Sequence, residues 1–228
     1  MQTLKDQSEL NPHFYNHISR TPVTHTELGS GSISFDLKDE TIQESGSFKD
    51  RGALNAILTL YQEDSETLQR CGVVAASAGN HGQGVARAAK IVGVRVVQIA
   101  GDVDVALSAA LEFSKVTLAQ FVHPFDDRAV MKGQGSIGTE IVEEVGRSFY
   151  DRIYVPVGGG GLITGIASAL LEDGSKTEVI GVQLEGSDSF AQSLAKGRVV
   201  ELEAANPLSD GPAVRRVGTL TLQAALLL

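Results

Sequence analysis

The sequence predicts an α/β fold built on parallel strands. Short apolar runs of strand length recur at 73–76, 94–99, 153–157 and 179–182. Two of them lead through a small-residue loop into apolar residues at helical spacing, the alternation that demands crossover connections. Glycine is also abundant: 25 of 228 residues, clustered at points where a strand hands over to a helix. The chain is long enough for one large domain or two small ones. Its 42 % hydrophobic and 21 % charged residues are ordinary for a globular protein. A net charge of -9 argues against nucleic acid or an anionic membrane as partner. The single cysteine, Cys71, excludes an internal disulfide and a cysteine-rich metal site. No apolar run reaches the roughly 20 residues of a membrane helix. The first ten residues carry Lys5, Asp6 and Glu9 without an apolar core, unlike a secretory signal, so the cytoplasm is the expected compartment.

In chain order, residues 32–37 alternate and suit a strand. Beyond Lys49, the residues Ala53, Leu54, Ile57, Leu58 and Tyr61 share a helical face. A polar linker is expected at 62–66. The run Val73-Val74-Ala75-Ala76 reads as a strand, followed by the loop 77–82 and a helix from Gly84 to Val92. Val94 to Ile99 is a strand ending at the turn Gly101-Asp102. Gly133-Gln134-Gly135-Ser136 reads as a loop opening a helix that carries Ile137, Ile141 and Val145. Ile153 to Val157 is a strand, Gly158 to Gly161 a loop, and Leu162, Ile163, Ile166, Ala167, Leu170 and Leu171 a helical stripe. Val179 to Val182 reads as a short buried strand. A second polar linker is expected at 201–210.

Three loops could carry chemistry. Gly158 to Gly161 stand between a strand and a helix. Consecutive glycines let backbone N–H groups converge on one anion, and a helix N-terminus adds its dipole. The alternative is a tight turn that binds nothing. No Gly-Lys-Ser/Thr follows, so the loop is not a Walker phosphate loop, and it lacks dinucleotide spacing. In the second loop, Ser77-Ala78-Gly79-Asn80-His81-Gly82, polar side chains and a helix start could hold a ligand carboxylate, or could simply cap the helix. In the third, Ser45-Gly46-Ser47-Phe48-Lys49-Asp50-Arg51-Gly52, Lys49 is either a solvated charge or an amine able to condense with an aldehyde.

In combination, Ser-Gly-Ser-Phe-Lys-x-Arg-Gly at 45–52, Ser-Ala-Gly-Asn-His-Gly-Gln-Gly at 77–84 and Val-Gly-Gly-Gly-Gly-Leu at 157–162 resemble the fold type II, tryptophan synthase β-like, pyridoxal-phosphate enzymes. The resemblance is strongest to threonine dehydratases (threonine ammonia-lyases), with serine dehydratases and serine racemase as relatives. It extends through Thr21-Pro22, Pro124-Phe125-Asp126-Asp127, Gly133-Gln134-Gly135-Ser136 and Asp210-Gly211-Pro212-Ala213-Val214. It implies two open α/β domains: a large cofactor-binding domain at 1–45 and 123–228, and a small domain at 46–122 that closes over substrate. It further implies that Lys49 carries pyridoxal 5′-phosphate and transfers protons, that Phe48 packs beside the cofactor ring, and that Asn80 bonds its 3′-oxygen. Ser77, Ala78, Gly79, Asn80 and His81 would receive the substrate carboxylate, and Gly158, Gly159, Gly160 and Gly161 the cofactor phosphate. The implied reaction converts threonine or serine to a 2-oxoacid and ammonia, in isoleucine biosynthesis for threonine, in a homo-oligomer. Ala78 stands where racemases of the family carry a second base, which favours dehydration.

The sequence departs from the family pattern in three places. One β-α unit of the small domain is missing between Ala86 and Ala110. From the resemblance, the segment that follows the Asp210-Gly211 motif in relatives, and that contacts the cofactor ring nitrogen, is expected to be absent after Leu228. Gln183 replaces a glutamate that helps bind a metal, so no metal is expected. The competing expectations are a catalytically impaired, shortened homologue that binds cofactor or partners, and a β-replacement enzyme related to cysteine synthase.

Overall fold

A computed structural model describes residues 10–29, 31, 33–77, 79–98, 103–204 and 214–228. Ala78, the Gly101-Asp102 turn and the Asp210-Gly211-Pro212-Ala213 motif lie outside the described residues.

Three parallel strands form one sheet: β3 (Val73–Ala75) at its centre, flanked by β4 (Val96–Gln98) and β5 (Gln120–Phe121). Strand side chains alternate between faces. Val73 and Ala75 therefore join one core, with Leu54 and Ile57 of α1 (Lys49–Glu63) and Val85, Ala88 and Ala89 of α3 (Asn80–Val92). Val74 and Ala76 join the opposite core, with Ala106 and Ala110 of α4 (Val103–Thr117). After α3 the chain turns through Gly93, whose φ of 73° is the left-handed conformation of a helix C-cap. It then enters β4, which pairs directly with β3.

A second parallel pair, β6 (Arg152–Pro156) and β7 (Glu178–Val182), is backed by α5 (Arg128–Val145) and α6 (Gly161–Glu172) through Val155, Ile137, Ile141, Ile166 and Leu170. An antiparallel hairpin, β1 (Val23–Leu28) and β2 (Ile33–Lys38), precedes these elements. Two short helices, α7 (Ser189–Lys196) and α8 (Thr219–Ala225), pack near Val157 and Phe190. No helix among the described residues is long and apolar enough to cross a membrane.

Four local expectations need correction. The 62–66 linker is a junction between helices: Asp64 ends α1 and caps α2 (Ser65–Cys71), accepting the Thr67 N–H at 2.9 Å. The helix after the second loop begins at Asn80 rather than Gly84. Strand β7 is not buried, since only Val179 and Ile180 are partly covered. Most consequentially, Gly133-Gln134-Gly135-Ser136 is not a loop but the middle of α5. Glycine weakens a helix interior, and here the weakness has a packing cause. A Cβ at Gly133 would strike the backbone of Arg51 and Gly52, and one at Gly135 would lie 2.8 Å from the Gly165 carbonyl oxygen. Helix α5 is thus pressed backbone to backbone against α1 on one side and α6 on the other.

Arg51 locks this arrangement. Its side chain is 0 % exposed. The guanidinium donates to both Glu40 carboxylate oxygens, at 2.7 and 2.8 Å, and to both of Glu140, at 2.6 and 2.9 Å. It also donates to Ser136 Oγ at 2.9 Å and to the Ser19 carbonyl at 3.3 Å. Burial alone would lower its pKa, but these carboxylate bonds outweigh desolvation and raise it. Lys38 adds a 3.0 Å ion pair to Glu140. The amino-terminal segment, α1 and α5 are thereby joined at one point. Removing one partner of a buried pair leaves the other charge uncompensated. We expect Arg51→Met to lower unfolding stability by about 3 kcal/mol or more, read as a shifted urea midpoint. A parental midpoint would mean that the network adds nothing.

Candidate active site

The order β4-β3-β5 reverses at β3, and ligands of open α/β sheets sit at such reversals, beyond the carboxyl ends of the strands. The loops after β3 and β5 meet there. Lys49, the first residue of α1, reaches this crevice. Its backbone N–H donates to Ser47 Oγ at 3.1 Å, and its Nζ donates to the Pro124 carbonyl at 2.7 Å. The amine has no ion pair among the described residues and lies 5.3 Å from the centroid of the Phe48 ring. Desolvation pulls its pKa down to about 8. Of the two settings that the sequence allows, this desolvation excludes a freely solvated charge. Phe48 also packs against the core under β6.

After β3, Ser77 Oγ accepts the Gly79 N–H at 3.1 Å. Helix α3 then starts on Gly79 with no side-chain cap, and Asn80 is exposed at its first position. His81 behaves differently from its neighbours. It is 4 % exposed, and its Nε2 lies 2.9 Å from the Val122 carbonyl. A carbonyl only accepts, so the proton is on Nε2. Desolvation, then the nearby Lys49 charge, pull the His81 pKa down to about 3. The imidazole is a neutral strut between α3 and the end of β5.

The loop after β5, residues 123–127, has no role assigned by its sequence, yet it touches Lys49 through Pro124 and the glycine loop through Phe125. Its residues point in different directions. His123 Nδ1 accepts the backbone N–H of Asp126 at 2.7 Å and of Phe125 at 3.2 Å, and burial lowers its pKa. Pro124 receives Lys49. The Phe125 ring stands edge-on to His123 with centroids 4.7 Å apart. Asp126 reaches the start of α8, and Asp127 caps α5 by accepting the Val130 N–H at 2.9 Å. The cap was readable, because an aspartate directly before a helical pattern is a start signal. The long-range bonds were not.

Gly158 to Gly161 join β6 to α6. Gly160 has φ 96°, and α6 starts on it without a side-chain cap. A Cβ at Gly159 would enter the Phe125 ring, one at Gly161 would lie 2.9 Å from Phe125 Cβ, and one at Gly160 would strike Phe190. The glycines therefore have a packing reason of their own: they admit two aromatic rings. The uncapped N-terminus of α6 keeps the anion reading as well.

The sequence pattern of the family described as pyridoxal-phosphate dependent enzymes matches residues 15–97 and 90–226. This chain belongs to that family. It is 40 % identical over 250 aligned positions to an L-threonine ammonia-lyase of Thermotoga maritima, covering 98 % of this chain and 60 % of the relative. It superposes on the processed form of threonine deaminase isoform 2 from Solanum lycopersicum with a TM-score of 0.82 and 34 % identity, covering 95 % of this chain and 64 % of that one. Maize serine racemase follows with a TM-score of 0.80 and 28 % identity, covering 95 % and 72 %. The fold is therefore fold type II. The chain spans about three-fifths of the length of the curated relatives it matches. The two family matches overlap at 90–97.

The residues present suit the family's cofactor. A desolvated amine with no ion pair among the described residues and an uncapped helix start on glycine are reached from the same five-residue loop. At Gln183, the amide donates to the Val157 and Ser187 carbonyls at 3.2 and 2.9 Å and accepts the Ala191 N–H at 3.0 Å. Its polar atoms are thus committed to backbone groups.

The Lys49 pKa has a thermodynamic consequence. Between pH 8 and 10.5 the unfolded chain holds a proton on Lys49 that the folded, cofactor-free protein has released. Stability therefore rises with pH across that window. We expect Lys49→Met to flatten this rise in denaturation midpoints. The same slope in both proteins would show that the amine titrates normally.

Proposed function

We propose that this chain is a pyridoxal-phosphate dependent ammonia-lyase that converts threonine, or serine, to a 2-oxoacid and ammonia. The observation that carries the reading is the Lys49 amine, held at 2.7 Å from the Pro124 carbonyl with no carboxylate partner among the described residues. Its pKa of about 8 leaves a usable uncharged fraction near neutral pH. The names of the relatives supply the substrate class. When bound, the cofactor supplies an aldehyde for Lys49 and an electron-withdrawing ring that stabilises negative charge at the substrate α-carbon.

The chain's own residues have these roles. Lys49 Nζ holds the cofactor and takes the α-proton, and the Pro124 carbonyl keeps the amine aimed into the crevice. Gly158 to Gly161 and the first N–H groups of α6 bind the phosphate. Ser77, Gly79 and Asn80, with the start of α3, bind the substrate carboxylate, and Asn80 also bonds the 3′-oxygen of the ring. His81 contributes backbone, since its imidazole is committed to Val122. Loss of the α-proton and the β-hydroxyl removes water, and hydrolysis then returns water and releases ammonia. Residues 46–122 are read as the closing domain, with 1–45 and 123–228 as the large one. Exposed Tyr154, Val182, Leu226 and Leu227 support self-association.

Incubation with cofactor and threonine or serine should yield 2-oxobutanoate or pyruvate. Lys49→Ala should abolish both the product and the borohydride-fixed cofactor adduct while leaving the circular dichroism spectrum intact. No product from the parental chain at saturating cofactor would reject the activity. An adduct persisting in Lys49→Ala would reject the lysine.

A further inference from the structure

Asp126 is bonded to a helix it does not adjoin in sequence. One carboxylate oxygen accepts the backbone N–H groups of Leu220 at 2.7 Å and Thr221 at 3.1 Å, and the other accepts that of Thr219 at 3.0 Å. These are the first N–H groups of α8, which its own N-cap residue, Gly218, leaves without a side-chain acceptor. A helix is ordinarily capped by the residue just before it. Here the cap arrives from more than 90 residues away, and any Cβ at Gly218 would collide with the Asp126 carboxylate. The negative charge also suits the positive end of the helix dipole.

What α8 does with this fixed first turn is the informative part. Thr221, 0 % exposed, shares its hydroxyl proton between the Gly159 carbonyl at 2.9 Å and the Gly218 carbonyl at 3.0 Å, and the Gly218 N–H points to the Gly159 oxygen at 3.4 Å. A Cβ at Gly160 would lie 3.2 Å from Thr221 Cβ. The Gly159 carbonyl is thus held by the first turn of α8 and the Gly218 N–H that precedes it. Asp126 sits two residues from Pro124, the acceptor of Lys49 Nζ. One five-residue loop therefore touches the lysine through Pro124, the glycines through Phe125, and the Gly159 carbonyl through Asp126 and α8.

We propose that Asp126 is a positioning residue that sets the phosphate-binding conformation of Gly158 to Gly161 by capping α8 and, through Thr221, anchoring the Gly159 carbonyl. The inference rests on the reading that the glycine loop holds the cofactor phosphate. Asp126 itself touches neither cofactor nor substrate in this scheme.

The test compares pyridoxal 5′-phosphate with pyridoxal, which keeps the aldehyde and lacks the phosphate. Both are titrated into the full chain and its variants, and binding is followed by absorbance. The parental chain should prefer the phosphorylated form. Asp126→Ala should weaken pyridoxal phosphate binding roughly tenfold, the scale of a lost cap, while pyridoxal affinity stays parental. Thr221→Val, which keeps the helix and removes the hydroxyl, should show the same selective loss. Asp126→Asn should fall between, because the amide oxygen still accepts while the amide nitrogen faces an N–H. If Asp126→Ala fails to fold, Asp126→Asn and Thr221→Val decide. Equal loss for both ligands would show a merely structural role, and parental affinity for both would show none; either overturns the proposal. A parental chain that binds both ligands equally would instead overturn the phosphate reading, and this inference with it.

Discussion

A fully buried guanidinium between two carboxylates is the constraint on which the rest of this structure depends. Arg51 lies two positions after Lys49 on α1, and its five N–H donors are taken up by Glu40, Glu140, Ser136 and Ser19. A charge at that depth tolerates no drift, because any displacement strands it without partners in a poorly polarisable interior. The first turn of α1 is consequently fixed against both the amino-terminal segment and α5. The Lys49 amine inherits that fixity while avoiding the carboxylates itself. An acid close to Lys49 would favour the ammonium and raise the pKa that desolvation has lowered.

The second organising element is the loop at 123–127, in which each residue serves a different neighbour. Such a loop can be short because its own backbone is already tied: the imidazole of His123 accepts two N–H groups of the residues that follow it. Proline at 124 contributes a carbonyl acceptor without adding a donor that would need a partner. The neutral state of His81 fits the same pattern. A protonated imidazole beside Lys49 would repel the amine and would cost heavily at that burial.

Much of the fold was legible in local pattern. The strands at 73–75 and 152–156, the helix after Lys49 and the stripe from Leu162 to Leu171 follow from periodicity, and the parallel pairing follows from their alternation. Illegible features were those set by partners distant in sequence. Gly133-Gln134-Gly135-Ser136 reads as a loop by composition, and only the approach of Arg51 and Gly165 explains a helix there. Lys49 could be named a candidate, but its desolvation depends on packing that no local pattern encodes. Asp126 carries no local sign that its acceptors serve residues 219–221. The glycine loop reads locally as an anion site or a bare turn, and neither reading anticipates two aromatic rings.

The glycine seam along α5 governs how these helices can move. Gly133 meets α1 and Gly135 meets α6, two residues apart on one rigid rod and separated by about 3 Å of helical rise. Where side chains mesh, rotamer changes let helices slide past one another. Where backbones meet directly, there is no such slack. Helices α1 and α6 are therefore keyed to one shaft, and any closing movement of residues 46–122 turns about this seam. Lys49 opens α1 and Gly161 opens α6, so the spacing between amine and glycine loop is a property of the shaft, and loop fluctuations leave it unchanged.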